Sequence, residues 1–193
     1  MKKIMMIALV ALSSAAFAQI KDGKYIVDYK NSKVDWRGDN LVGGGHDGNV
    51  KVSSGNVVVS KGNITSGKVK INMNDMTCTD LTDAATNSKL INHLKAEDFF
   101  NTAKFPDASF EITGSTPKAD KSGNTHVVKG KMTIKATTLD MEFPVKVEVR
   151  DGNMHVTGDV LVDRSKFDVK YPSVGDYAVK NELKLKLDIK AKI

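Results

Sequence analysis

The sequence predicts an all-β domain whose long antiparallel strands form a barrel or a sandwich. Residues 139–149 and 183–193 alternate strictly between apolar and other side chains, the pattern of a strand with one dry face and one wet face. Tight-turn sequences such as Asp151-Gly152 separate the alternating runs, so consecutive strands are expected to pair as hairpins. At 193 residues, the chain is long enough for one domain with its own core.

The N-terminus has the layout of a secretory signal peptide. Lys2 and Lys3 precede an apolar run over residues 4–12, and Ala16-Phe17-Ala18 provides a cleavage site of small residues. The apolar run is too short to span a bilayer, which takes about 20 residues. We expect cleavage after Ala18, export to the periplasm and a single mature domain of residues 19–193.

The first part of the mature domain predicts several short strands. Three glycines, residues 43–45, break the alternation, and Ser53-Ser54-Gly55-Asn56 has the composition of a hairpin turn. The strands expected on either side of these signals are 25–27, 34–36, 46–52, 57–59 and 69–73.

The middle of the chain concentrates its aromatic residues. Four of the seven Phe residues lie within residues 99–110. Just before them, Leu90, Ile91 and Leu94 have the spacing of one short helical face. Pro106 then favours an extended backbone before alternation resumes. We therefore expect one or two short helices in a mid-chain connection, with an aromatic plug that returns the chain to the sheet.

The last part of the chain predicts the longest strands. A polar connection over residues 114–124 precedes them. The strands are expected at 128–134, 139–149, 154–162 and 183–193, and their alternation is typical of antiparallel sheets with one solvated face.

An outer-membrane barrel would show the same alternation with its apolar face outward. The aromatic content of 6% and the many charged residues on the polar faces argue against this alternative. A helical, aromatic mid-chain connection also fits it poorly.

The distribution of charged, Cys and His residues argues against nucleic acid, metal and cofactor binding. The net charge is +6, but the basic residues are spread along the chain without a stripe of interleaved aromatics, so nucleic acid is not an expected partner. Cys78 is the single cysteine and has no internal disulfide partner. The four His residues are scattered singly without metal-site spacing, so neither a metal site nor a cofactor is expected.

The sequence contains only weak matches to known catalytic motifs. His46 follows the three glycines, but no G-x-S-x-G nucleophile motif accompanies it. Asp163-Arg164-Ser165 could supply an acid and a hydroxyl group, although a turn or a structural ion pair is the simpler interpretation. We therefore do not expect an enzyme, with an esterase-like activity as a remote alternative.

Several segments carry a family resemblance. The stretch HLKAEDFFNTAKFPDASFEIT, beginning at His93, is similar to a conserved segment of the YceI-like family of exported, lipocalin-like proteins. YIVDYKNSKVDWRG, VKGKMTIKATTLDMEFPV, DRSKFDVKY and VKNELKLKLDI resemble further blocks of that family, over residues 25–193. Asn31 stands where the family commonly has His, and Asp168 stands where it has Gly.

The resemblance implies a lipocalin-like antiparallel barrel whose apolar cavity holds a long isoprenoid-type lipid taken from a membrane, as carrier or sequestering protein. The alternative is a non-enzymatic, stress-related envelope protein with a filled core that acts through its surface, because a barrel of eight strands can be filled or hollow. From the inward-facing pattern, the residues expected to line the cavity are Trp36, His46, Val50, Met73, Phe99, Phe100, Phe110, Met132, Met141, Phe143, Val145, Val160 and Leu185.

Overall fold

A computed structural model describes residues 20–170 and 178–193. The expected signal peptide and its cleavage site lie outside these ranges. The strands are β1 Gly23–Val27, β2 Lys33–Asn40, β3 Gly45–Ser60, β4 Asn63–Cys78, β5 Asp107–Pro117, β6 His126–Ile134, β7 Thr137–Arg150, β8 Asn153–Asp163 and β9 Val179–Lys192. Helix α1 spans Ala84–Lys95, and a 3-10 helix spans Arg164–Phe167. Neither helix is long and apolar enough to cross a membrane, within the ranges that the structure describes.

The strands close into an antiparallel barrel. Around the barrel the order is β3-β2-β9-β8-β7-β6-β5-β4, and pairing of β4 with β3 completes the ring. Strands β1 and β2 share one position between β3 and β9, because β3 pairs first with β2 at Val50↔Val34 and later with β1 at Val57↔Tyr25. The nine strands therefore form an eight-stranded ring, which confirms the predicted antiparallel barrel.

Apolar side chains face the interior of the barrel and charged side chains face outward. Phe143 is buried near the middle of β7. On the outer face, Lys129 pairs with Glu142 at 3.5 Å and Lys131 with Asp140 at 3.0 Å between β6 and β7. This arrangement is the opposite of the apolar exterior that the membrane-barrel alternative requires.

Two hairpin turns contain consecutive residues with positive φ values. Asp151 and Gly152 have φ values of 51° and 74° between β7 and β8, as a two-residue turn with left-handed positions requires. Lys61 and Gly62 repeat this geometry, with φ values of 53° and 74°, between β3 and β4. The turn predicted at residues 53–56 is therefore wrong.

Residues 53–56 lie inside β3, at the point where the partner of that strand changes from β2 to β1. The register with β4 also shifts between Val52 and Ser54, as in a β-bulge. The small polar residues 53–56 therefore accommodate a bulge within β3, and the chain does not reverse there.

Helix α1 confirms the predicted mid-chain helix. The carboxylate of Asp83 caps its N-terminus by accepting a hydrogen bond of 2.8 Å from the main-chain N–H of Thr86. Ile91 and Leu94 are half-buried and pack against the core. The turns after the helix carry Phe99 and Phe100 into the core, with their ring centroids 4.9 Å apart in an edge-to-face arrangement.

The 3-10 helix after β8 was not predicted. Asp168 follows it with a left-handed φ of 58°, a backbone conformation that glycine adopts without a steric penalty. The carboxylate of Asp163 caps the helix by accepting a hydrogen bond of 3.1 Å from the N–H of Ser165, so the predicted turn is present.

An apolar cavity with one polar end

A cavity of about 330 Å³ lies inside the barrel, enclosed mainly by inward-facing residues of the strands. This volume is near the lower limit of small-molecule sites, which span roughly 300–1,000 Å³. The structure places all but one of the residues expected to line a cavity on its wall, namely Trp36, His46, Val50, Met73, Phe99, Phe100, Phe110, Met132, Phe143, Val145, Val160 and Leu185. Their contact with a ligand remains a prediction.

Met141 is the exception. It pairs with Gly130 across β6 and β7 and packs half-buried against the core, but it does not line the cavity. The ring of Phe110 stands over Gly130, where an added Cβ would come within 2.6 Å of the ring carbon Cζ. Phe110 also contacts Phe143 with ring centroids 5.0 Å apart, so this aromatic pair occupies the interior near Met141.

The polar residues of the cavity wall are concentrated at one end of the barrel. We call it the helix end, because α1 and the 3-10 helix both follow strands that finish there. Toward the other end, lining residues such as Val57, Ile64 and Ile112 are apolar. The polar and charged lining residues at the helix end include Asn40, His46, His93, Arg164, Lys180 and Glu182. The cavity thus has an apolar interior and a polar end.

Arg164 is the buried charged residue on the cavity wall at this end, among the residues that the structure describes. Its guanidinium group donates hydrogen bonds to the carbonyl groups of Val169 at 2.8 Å, Val179 at 3.0 Å and Lys180 at 3.1 Å. Its cationic centre lies 5.9 Å from the ring centroid of Phe99. Burial lowers the pKa of Arg164, and the nearby carboxylate of Asp163 opposes this shift. Sequence reasoning assigned the residue only a turn or ion-pair role and missed its place on the cavity wall.

Trp36 contributes a buried donor to the cavity wall. Its indole ring packs on Gly48, where an added Cβ would lie 2.5 Å from Cε2 of the ring. The indole Nε1 is buried and has no hydrogen-bond partner within the part of the chain that the structure describes. A buried N–H group without a partner is costly in a protein interior, so a ligand acceptor would relieve this cost.

A second cluster of polar residues lies around Asp80 at the helix end. Its carboxylate contacts Nδ1 of His46 at 2.9 Å and accepts hydrogen bonds from the thiol of Cys78 at 3.1 Å and the N–H of Asp47 at 2.9 Å. Burial raises the pKa of Asp80, but these hydrogen bonds outweigh it and lower the pKa to about 2. Burial also raises the pKa of the Cys78 thiol, with a further contribution from its bond to Asp80.

This group could not be found from sequence spacing, because His46 lies on β3 whereas the other two residues lie at and beyond the end of β4. Strand pairing brings them together, since Gly48 stands opposite Cys78 in the β3–β4 ladder. A turn placed at residues 61–62 would have paired β3 with β4 and so predicted that His46 lies near Cys78 and Asp80.

The closed antiparallel barrel with an internal apolar cavity defines a lipocalin-like class of protein. A family model described as the YceI-like domain matches residues 25–191. The chain therefore belongs to the YceI-like family.

Solved structures share this fold. The crystal structure of BcnA from Burkholderia cenocepacia is similar over 86% of this chain and 99% of its own, with 24% identity and a TM-score of 0.67. A structure described as a polyisoprenoid binding domain from Saccharophagus degradans covers 87% of this chain and 97% of its own, with 9% identity and a TM-score of 0.66. No match was found among curated proteins.

Proposed function

We propose that the protein is an exported lipid-binding protein that holds an isoprenoid-type lipid in its barrel, as a carrier or sequestering protein rather than as an enzyme. The observation that carries this proposal is the polarity of the cavity: its wall is apolar over most of its area, and its charged side chains lie at the helix end. Such a wall is complementary to an amphiphile with an apolar tail and one polar head. The neighbour from Saccharophagus degradans, described as a polyisoprenoid binding domain, supports the choice of tail.

The tail alone would not determine retention. Each CH₂ group moved from water to an apolar site gains about 0.8 kcal/mol, so a forty-carbon tail would gain roughly 30 kcal/mol. That sum exceeds the practical affinity limit of about 18–21 kcal/mol. Because such a lipid starts in a membrane, transfer of its tail from bilayer to barrel is close to neutral. The polar head therefore decides retention.

Two groups at the wall are suited to a polar head. Arg164 has five N–H groups, of which at least three donate to main-chain carbonyls, and its positive charge attracts anionic or carbonyl oxygens. The buried N–H group of Trp36 lies deeper in the barrel and favours a ligand that carries an acceptor oxygen. These groups favour a lipid with an oxygen-bearing head over a plain hydrocarbon.

The alternative of a filled core acting through its surface is at odds with the cavity. A filled barrel would leave no space of about 330 Å³ beside Phe143 and Phe110. Native mass spectrometry of the protein purified from its own envelope distinguishes the two functions. A reproducible added mass that matches an extractable lipid supports the carrier function, whereas bare protein after mild extraction contradicts it.

Replacing Phe143 with Ala tests the cavity directly. The ring is 8% exposed, lines the cavity and contacts Phe110. Because the removed ring would extend a space that is already open, we expect a smaller loss of stability than the roughly 3–5 kcal/mol of a filled core. We also expect the bound lipids to shift toward longer or bulkier chains. Urea unfolding of delipidated protein and mass spectrometry of extracted lipid measure the two effects.

Val147→Ala is the matched control. Val147 is buried on the same strand as Phe143 but does not line the cavity. Its truncation should cost about 1–3 kcal/mol of stability and leave the lipid profile unchanged. A cost above about 4 kcal/mol for Phe143→Ala, with the wild-type lipid profile, would mean that the ring closes a packed core.

Export is a separate part of the proposal. The basic, apolar and small-residue segments of residues 1–18 support cleavage between Ala18 and Gln19. N-terminal sequencing of protein recovered from the periplasmic fraction should begin at Gln19. Retention of Met1 in the mature protein, or recovery from the cytoplasm alone, would refute the periplasmic location.

A further inference from the structure

Three side chains of types that ligate metal ions lie together at the helix end of the barrel. They are the imidazole of His46, the thiol of Cys78 and the carboxylate of Asp80, and their candidate ligand atoms all lie within 4.8 Å of one another. Nδ1 of His46 is 2.9 Å from one oxygen of Asp80, and Sγ of Cys78 is 3.1 Å from the other. Within residues 20–170 and 178–193, no other three His, Cys, Asp or Glu side chains bring their ligand atoms this close together.

The three atoms form a zinc-type ligand set. Zn²⁺ binds thiolate at about 2.3 Å and imidazole or carboxylate at about 2.0–2.2 Å, usually in tetrahedral geometry. Ligand atoms around such an ion are about 3.3–3.7 Å apart. Moving the three side chains from their present positions to that geometry takes shifts of about 1 Å. Hard divalent ions such as Mg²⁺ prefer oxygen ligands, so the sulfur and nitrogen favour zinc.

The main chain already holds these ligands in place. Cys78 pairs with Gly48 in the β3–β4 ladder, which fixes it beside the strand that carries His46. The N–H of Asp47 donates to Asp80 at 2.9 Å, and the side-chain amide of Asn87 donates to the carbonyl of Cys78 at 3.0 Å. Preorganised ligands of this kind reduce the cost of assembling a metal site.

Around the group, the basic side chains pair with carboxylates other than that of Asp80. The nearby basic side chain of Arg37 bonds Asp39 at 2.7 Å and Asp47 at 2.6 Å, and Lys184 also bonds Asp39. Among the described ion pairs, Asp80 is paired with His46 but with no Lys or Arg. Its carboxylate therefore lacks a permanent counter-ion in a place where neighbouring carboxylates have one.

We propose that His46, Cys78 and Asp80 bind a zinc-class divalent cation at the helix end of the barrel. On binding, the Cys78 thiol would lose its one proton to solvent, and neutral His46 would bind the ion through the lone pair of Nδ1 while Nε2 carries the ring proton. His46 also lines the cavity, so the ion would lie beside the cavity wall, with a water molecule as its fourth ligand. The site does not depend on the nature of the lipid.

Cobalt provides a specific spectroscopic test. The full chain, purified under reducing conditions and freed of metal, is titrated with Co²⁺ alone. We expect one equivalent to bind with a thiolate-to-metal charge-transfer band in the near ultraviolet and visible bands of tetrahedral intensity. Zn²⁺ should abolish both signals by displacing cobalt and should raise the Tm of the wild-type protein. Binding without the charge-transfer band would show that Cys78 is not a ligand and would overturn the proposal.

Ligand variants and a matched control complete the test. Cys78→Ser and Asp80→Asn should each weaken Zn²⁺ binding, measured by equilibrium dialysis, by at least the ~10–100-fold that loss of a ligand's supporting contact costs. His155→Gln is the control, because His155 forms a similar pair with Asp188 at 2.8 Å but has no cysteine beside it. It should bind Zn²⁺ like the wild type.

A second measurement does not require a folded variant. In the wild type, Zn²⁺ should slow alkylation of Cys78 at least about tenfold, since a coordinated thiolate is withdrawn from reaction. The proposal would be overturned if Zn²⁺ left the alkylation rate unchanged, or if Cys78→Ser bound Zn²⁺ as tightly as the wild type. It would also be overturned if His155→Gln lost Zn²⁺ binding. In each case the three side chains would form only a hydrogen-bonded cluster.

Discussion

Gly48→Ala should destabilise the protein by about 3 kcal/mol or more, one of the largest single effects expected in this barrel. An added Cβ would overlap the main-chain oxygen of Thr77 on the neighbouring strand β4, well inside van der Waals contact. It would also lie 2.5 Å from Cε2 of Trp36 on the other neighbouring strand, β2. Because one of the two obstacles is main chain, relief requires β3 and β4 to separate.

The same substitution should also disturb the cavity. Trp36 lines the cavity and uses the space above Gly48, so a methyl group there would push the indole inward or tilt it. Gly48 also stands opposite Cys78, so separation of β3 and β4 would displace the group around Asp80. We therefore expect loss of both stability and bound lipid.

Urea unfolding followed by Trp36 fluorescence measures the effect, because Trp36 is the single tryptophan. Gly114→Ala on β5 is the matched control, since no described heavy atom lies within 4 Å of the position that its Cβ would take. It should leave stability unchanged or raise it by about 0.5–1 kcal/mol, because alanine loses less backbone entropy than glycine. Equal stability of the two variants would show that the β3–β4 contact is looser than the structure indicates.

Most of the fold could be predicted because strand alternation is a local signal. In β7 and β9, every second residue reports which face is buried, and this pattern requires no knowledge of the partners. Helix α1 was equally predictable, since the spacing of Leu90, Ile91 and Leu94 marks the face that packs on the core or lines the cavity. The same local signal placed most of the residues that were expected to line a cavity, such as Phe143 and Val145, on its wall.

The errors arose where tertiary contacts override local composition. The segment 53–56 has the composition of a turn, but pairing with β1 and β4 keeps it extended within β3. The functions assigned to Arg164 and Asp80 depend on residues distant in sequence, since Arg164 bonds the carbonyls of residues 179 and 180. Such contacts become visible only once the barrel has closed.

Arg164→Met should destabilise the protein by about 3–5 kcal/mol, comparable to breaking a buried charge network. Methionine has a similar length but no donors, so the carbonyls of Val169, Val179 and Lys180 would lose their partner. Each acceptor left unsatisfied in the interior costs about 1–3 kcal/mol, reduced where water can enter. The 3-10 helix and the start of β9 are then no longer joined through this side chain.

The conservative variant separates geometry from charge. Arg164→Lys keeps the positive charge near Phe99 but cannot reach three carbonyl groups with a planar fork. We expect it to lose about half of the stability that Arg164→Met loses. If the positive charge at the helix end retains the polar head of the lipid, Arg164→Lys should keep bound lipid whereas Arg164→Met should lose it.

Urea unfolding of delipidated protein and mass spectrometry of co-purified lipid distinguish these effects. Lys166→Met is the control, because Lys166 lies on the same 3-10 helix but is exposed and approaches Asp163 only at 3.9 Å. It should change neither stability nor lipid content. A stability loss below about 1 kcal/mol for Arg164→Met would show that water replaces the guanidinium group and that the helix end is more open than the buried position of Arg164 indicates.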